Sequence, residues 1–213
     1  MSTDTTILTV SLVWLAAVVS PGPNFLIVSR LALAQSRRAS LGASIGIAVA
    51  SFAYAVLTMF GLNLLILRLS WLGEFVALSG GIYLAWLGLR SWLGAKANPS
   101  MSCVMLPAEN AQFLAGVRIG FLCELTNPKA IAFFLGLFAA MIPFDTPLWA
   151  KITILSLGLV TELAWYAAIG SVLSTERLRA GYRRVKAWLD RMLGALLIAA
   201  GVRIAIGALQ RIR

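Results

Sequence analysis

Six long apolar runs, at residues 7–28, 41–66, 71–92, 113–142, 148–173 and 188–209, constrain this chain of 213 residues more than any other feature. Each is long enough to cross a hydrocarbon layer of about 30 Å, which takes roughly 20 helical residues. Inside lipid a segment must satisfy its own backbone, so each run is expected to be a helix. A membrane barrel would need short alternating segments instead. Apolar residues make up 60% of the chain and charged residues 12%, where soluble domains carry about 25% charge. That balance excludes a soluble enzyme and a free nucleic-acid binder. The expected fold class is an all-α integral membrane protein with six transmembrane helices. The start Met-Ser-Thr-Asp-Thr-Thr carries no basic n-region, so the first run is expected to be a retained span rather than a cleaved leader.

Orientation follows from the basic residues between the runs. The first, third and fifth connections hold ten Lys and Arg, namely Arg30, Arg37, Arg38, Arg90, Lys96, Arg177, Arg179, Arg183, Arg184 and Lys186. The other side holds four, Arg68, Lys151, Arg211 and Arg213. The odd connections are therefore expected in the cytoplasm and both termini outside, with the C-terminal arginines pulling the other way. The Arg-rich stretch 177–186 reads as an anchor on the anionic inner leaflet; a nucleic-acid or regulatory site is the alternative. Trp71, Trp92, Trp149 and Trp188 stand at run ends, where an aromatic belt places them.

Two runs are interrupted. The first contains Ser20-Pro21-Gly22-Pro23-Asn24. Each proline removes a backbone donor and biases the residue before it away from helix. The fourth contains Thr126-Asn127-Pro128-Lys129. Asn before Pro is an N-cap followed by a first-turn proline, a helix start set inside an apolar run. Pro21 lies 14 residues after Ile7, and Asn127 lies 14 residues after Phe113. Each break thus sits at the same place in the first span of a three-span half. Three crossings are an odd number, so the halves must be inverted relative to one another. The expected organisation is one transmembrane domain over 1–213: a first repeat over about 1–93, a cytoplasmic connection over about 94–112, and a second repeat over about 113–213. Paired broken helices in inverted repeats are where secondary transporters place their substrate site.

A restarted helix presents free N–H groups and the positive end of its dipole, which suit a carboxylate. Asn24 and Asn127 add neutral amides. Lys129 adds a positive charge, unless its long stem snorkels to an interface. Two carboxylates lie deep in the runs. Glu124 is one turn before Asn127, and Glu162 is in the middle of the fifth run. Charge is costly there, so each is expected to face the protein interior or a water cavity. Each could exchange a proton or pair with an ammonium group. Static pairs, Glu124 with Lys129 or Glu162 with Arg118, are the alternative. Trp165 and Tyr166, three and four residues past Glu162, would wall the same cavity or simply pack. Anion-binding helix ends beside cation-binding carboxylates fit a zwitterionic amino acid. Gly42, Gly46 and Ala50, then Gly116 and Gly120, line single helix faces and allow close approach of neighbours.

Ser-Pro-Gly-Pro-Asn at 20–24, Gly-x-x-x-Gly at 42–46 and Asn-Pro-Lys-Ala at 127–130 together resemble the lysine exporter (LysE) superfamily. Within it the chain is similar to the homoserine/threonine-resistance branch. The stretch from Gly80 to Gly88, and Trp188-Leu189-Asp190-Arg191 followed by Gly194 and Gly201, extend the match nearly end to end. The resemblance implies an amino-acid exporter of the bacterial inner membrane, driven by protons. Its cargo would be threonine, homoserine, homoserine lactone or a similar small neutral amino acid. It also implies that Pro21, Gly22, Pro23, Asn24, Asn127, Pro128 and Lys129 face the transport path. Glu124 departs from the neutral polar residue of relatives, whereas an acid in the fifth span is common among them and supports Glu162.

The residues leave rival readings with less support. A membrane redox enzyme would want a reactive Cys pair, but Cys103 and Cys123 lie in a connection and a span. A divalent-metal exporter would want converging Cys, His or carboxylates, and the chain has no His. A passive channel is the third. No cofactor, resident metal or nucleic-acid partner is expected. The expected partners are a small amino acid, protons and the bilayer, with assembly as a homo-oligomer left open.

Overall fold

The computed structural model describes residues 3–20, 22–33, 37–62, 70–93, 113–143, 145–172 and 176–212. Pro21, Arg68, Arg213 and the connection 94–112, with Lys96 and Cys103, lie outside them. The described residues are all-helical apart from turns. The elements are α1 (Thr3–Val19), α2 (Pro23–Leu33), α3 (Arg37–Val56), α4 (Ser70–Trp92), α5 (Phe113–Leu125), α6 (Pro128–Met141), α7 (Leu148–Val172) and α8 (Glu176–Ile212). Three stretches are long and apolar enough to span a membrane: Arg37–Gly61, Leu148–Val172 and Arg191–Gln210. The pair α1 and α2, bent by 52° at the Pro-Gly-Pro break, makes a fourth.

Proline chemistry sets the boundaries. Prolines at 21 and 23 cannot donate to the carbonyls of Ala17 and Val19, so the α1 ladder stops there. At the second break the Asn127 side chain accepts a hydrogen bond from the Lys129 amide, with Pro128 at the first helical position. α6 ends before Pro143, and α7 opens after Pro147, whose carbonyl accepts from the amides of Ala150 and Lys151. α3 runs on into a wider π-helical turn, Leu57–Leu62. There the Thr58 hydroxyl donates to the Tyr54 and Ala55 carbonyls at 2.6 and 3.2 Å, and such insertions loosen a helical ladder.

The Arg-rich stretch 177–186 is not a loop before the last span. It is the first part of α8, which continues through the span without interruption. No proline stands between Glu176 and Ile212 to stop the helix.

Large apolar side chains face outward as well as inward, and a few polar ones are buried. Leu8, Leu12 and Leu15 on α1, Ile82, Trp86 and Leu89 on α4, and Ile152 and Val160 on α7 are exposed. Ser40, Ser44, Ser51, Glu124 and Glu162 are buried. That is the distribution expected of a chain whose outer solvent is hydrocarbon.

Two glycine seams join the halves of the chain. A Cβ at Gly42 would strike the backbone of Phe113 and Val117, and one at Gly46 that of Val117 and Phe121. From the other side, Gly116 and Gly120 meet Ala39 and Ala43. Contacts advance in the same direction on both helices, so α3 and α5 run parallel. In the second seam Gly81 meets Gly201 and Ala205, while Gly88 meets Gly194 and Ile198. Here the numbers advance in opposite directions, so α4 and α8 are antiparallel. Absent side chains let the backbones approach where lipid offers no hydrophobic push between helices. α1 and α7 are parallel as well. Trp14 bonds Glu162 and the Val18 carbonyl meets Tyr166, both pairs 148 residues apart.

Candidate functional site

The two breaks meet. Asn24 opens α2 and Asn127 caps α6, and the Asn127 amide donates to the Asn24 side-chain oxygen at 3.4 Å. Both amides also donate to one oxygen of Glu124, Asn24 at 2.6 Å and Asn127 at 3.1 Å. The other Glu124 oxygen accepts from the Ser51 hydroxyl at 2.7 Å. Glu124 sits on the last turn of α5, one helical turn before its N-cap neighbour, which is why it reaches the same point. All four residues are buried. Three neutral donors surrounding one carboxylate satisfy both its oxygens without a cation.

Lys129 does not snorkel outward. Its ammonium turns inward and donates to the carbonyls of Ala17 and Ser20, each at 2.8 Å. The Ala17 carbonyl is the one that Pro21 cannot serve. Gly22 lies alongside, with room for a Cβ only at van der Waals distance from the Lys129 Cδ and Nζ. The Leu125 carbonyl at the end of α5 loses its helical donor to the Asn127 cap, and the Tyr54 hydroxyl replaces it at 2.7 Å.

Glu162 approaches from α7. One oxygen accepts from the Trp14 indole at 3.0 Å, and the other is buried with no hydrogen-bond partner. No bond runs from Arg118, which is exposed on α5. The Trp14 ring rests over Gly158 and packs edge-on against Phe134 and Phe138, with centroids 5.2 and 5.7 Å apart.

These groups line a cavity of about 30 Å³. Trp14, Ser20, Gly22, Asn24, Glu124, Asn127, Lys129, Glu162 and Tyr166 are on its wall, with Phe133 and Phe134 beside them. It has room for about two water molecules and for no amino acid. Of the residues singled out by sequence, Tyr166 lines the cavity, one turn past Glu162 on the same face. Trp165 does not; rotated one position around α7, it packs against the hydrophobic core instead. Pro23 and Pro128 shape the breaks but are not on the wall. Ser51 and Trp14 complete the site and were not anticipated. Trp14 stands in mid-span, away from the belt positions where membrane tryptophans gather, and that was the available signal.

Comparison with known proteins places the chain. Residues 15–208 match the family model of the LysE type translocator. The chain is 32% identical over 199 residues to the threonine efflux protein of Escherichia coli K12, covering 93% of this chain and 97% of that protein. It is 31% identical over 198 residues to the threonine efflux protein of Salmonella typhi, covering 93% and 96%. It is 28% identical over 193 residues to the uncharacterized membrane protein YahN of Escherichia coli K12, covering 90% and 86%. No solved structure matches. With a family match spanning nearly its whole length, this chain belongs to the LysE type translocator family and is a membrane transporter rather than an enzyme.

Proposed function

We propose that the chain exports small neutral amino acids of the threonine and homoserine type across the bacterial inner membrane, in exchange for protons. The observation that carries this reading is the unpartnered, buried oxygen of Glu162 in a cavity shared with both helix breaks. A carboxylate oxygen left without a donor on a small, partly polar cavity is a place for a proton or for an ammonium group. Glu124, held by three donors, acts as the fixed acceptor that ties the breaks together. Glu162 is the group that exchanges its proton for the cargo. The printed names of the threonine efflux relatives support the cargo class.

Six spans in two inverted repeats support alternating access. If the chain crosses the membrane six times, spans of equal parity run parallel and spans of unequal parity antiparallel. The observed directions agree with that arithmetic for the second and fourth spans, the third and sixth, and the first and fifth. The first repeat covers about 1–93 and the second about 113–213, with the odd connections in the cytoplasm. The small cavity corresponds to a closed form, from which the helices must part to admit cargo.

The test is growth of an expressing strain on inhibitory amounts of individual amino acids, followed by flux into vesicles with and without a pH gradient. Resistance to threonine or homoserine, and flux that follows the gradient, are the expected results. Flux indifferent to the gradient would mean a channel. Glu162→Gln and Asn127→Ala should each abolish resistance while leaving the protein in the membrane; unchanged resistance in both removes the site assignment.

A further inference from the structure

We propose that the broken end of α1 is an ammonium subsite, occupied in this structure by the Lys129 side chain and taken by the α-ammonium of the cargo during export. This deepens the transport reading of the same cavity and rests on it for the identity of the cargo. Two observations carry it. First, the carbonyls of Ala17 and Ser20 both accept from the Lys129 ammonium at 2.8 Å. Pro21 has no amide hydrogen for Ala17, so the break manufactures a carbonyl with no helical donor. The carbonyl end of a helix carries partial negative charge, which favours a cation. Second, the unpartnered Glu162 oxygen faces the same small chamber, and Glu162 is only 3% exposed. Two carbonyl oxygens and an unserved carboxylate oxygen on one small cavity offer acceptors suited to a group with three N–H donors and no acceptor.

Lys129 is thus a tethered stand-in for a ligand of its own chemistry. It serves the two carbonyls of the broken helix end. A zwitterion is the ligand class suited to relieve it. The incoming ammonium replaces Lys129 on the two carbonyls, and the incoming carboxylate receives the displaced side chain. A simple amine would compete with Lys129 for the two carbonyls and bring no carboxylate for the displaced side chain. A simple carboxylate would offer nothing to the carbonyls. The pocket therefore selects for both charges at once, independently of the cargo's side chain.

Lys129→Ala empties the subsite. Purified Lys129→Ala protein in detergent should melt about 2 °C or more higher with tens of millimolar propylammonium chloride, by ordinary ligand linkage. Propanol at the same concentration should give no shift, and the wild type should respond to neither. No shift with propylammonium, or an equal shift with propanol, overturns the subsite. A second measurement uses the wild type in vesicles, with whichever neutral amino acid it exports. The analogue with hydroxyl in place of the α-amino group should compete at least tenfold less well. Equal competition overturns the subsite while leaving the export reading intact. Absence of any amino-acid export removes that reading, and the melting experiment then decides the subsite alone.

Discussion

Asn24 and Asn127, 103 residues apart in the chain, point their amides at a single oxygen of Glu124, at 2.6 and 3.1 Å. One carboxylate thereby ties the first helix break to the second. Removing it should loosen both. Glu124→Ala leaves Asn24 and Ser51 as buried donors without an acceptor, and Asn127 with only its 3.4 Å bond to the Asn24 oxygen. A buried group left so costs about 1–3 kcal/mol. Glu124→Gln keeps one acceptor oxygen but sets an NH2 group against donors. The melting temperature in detergent should fall in the order wild type, Glu124→Gln, Glu124→Ala, and both variants should lose at least tenfold in export.

On the proposed proton exchange, variants at Glu162 are expected to separate fold from coupling. In Glu162→Gln the side-chain oxygen can still accept from the Trp14 indole, so the melting temperature should stay within about 2 °C of wild type. Proton-driven flux should drop at least tenfold, while exchange of cargo for cargo persists. Trp14→Phe should do the reverse and lower stability by about 1–3 kcal/mol, the usual cost of leaving a buried acceptor without its donor. Vesicle flux and thermal unfolding, measured side by side, check both.

The glycine seams give a contrast that composition alone would not. Gly88→Ala puts a methyl group against the backbone of Gly194 and Ile198, so α4 and α8 must separate. It should lower the amount of folded protein in the membrane severalfold. Gly207, on the same α8 helix, has nothing within 4 Å of where a Cβ would stand. Gly207→Ala should be neutral, or stabilising by up to about 1 kcal/mol through helix propensity. Fluorescence-detected size exclusion of tagged variants checks the pair.

Tyr54 serves the Leu125 carbonyl that the Asn127 cap leaves without a donor. Tyr54→Phe removes that bond and nothing else of size. A loss of about 1 kcal/mol is expected, from one part-buried carbonyl losing its donor. An unchanged unfolding midpoint would show that water serves the carbonyl as well.

Much of the scaffold could be read directly from residue order. Pro-Gly-Pro and Asn-Pro interrupt apolar runs, and helix capping is local chemistry, so the α1–α2 and α5–α6 breaks and the Asn127 cap were legible. Buried acids in spans were legible for the same reason, since lipid forbids them an outward course. Their partners were not. Ser51 and Trp14 reach Glu124 and Glu162 through contacts 73 and 148 residues away in the chain. Nothing local distinguishes Ser51 from Ser44, whose hydroxyl bonds back to its own helix at Ser40. Trp165 and Tyr166 differ by one step around α7, and only the direction α7 faces decides which one reaches the cavity. The Arg-rich stretch read as a connection because its charges break the apolar run. Charge does not break a helix, and α8 continues through it.

α1 packs against α7, α3 against α5 and α7, and α4 against α6 and α8. Nearly every close partnership in the molecule thus pairs one helix from before residue 93 with one from after residue 113. Where glycine brings two backbones into direct touch, the two helices pack as a unit. On the proposed alternating access, the surface of opening is expected to run between such mixed pairs rather than along the division visible in the sequence.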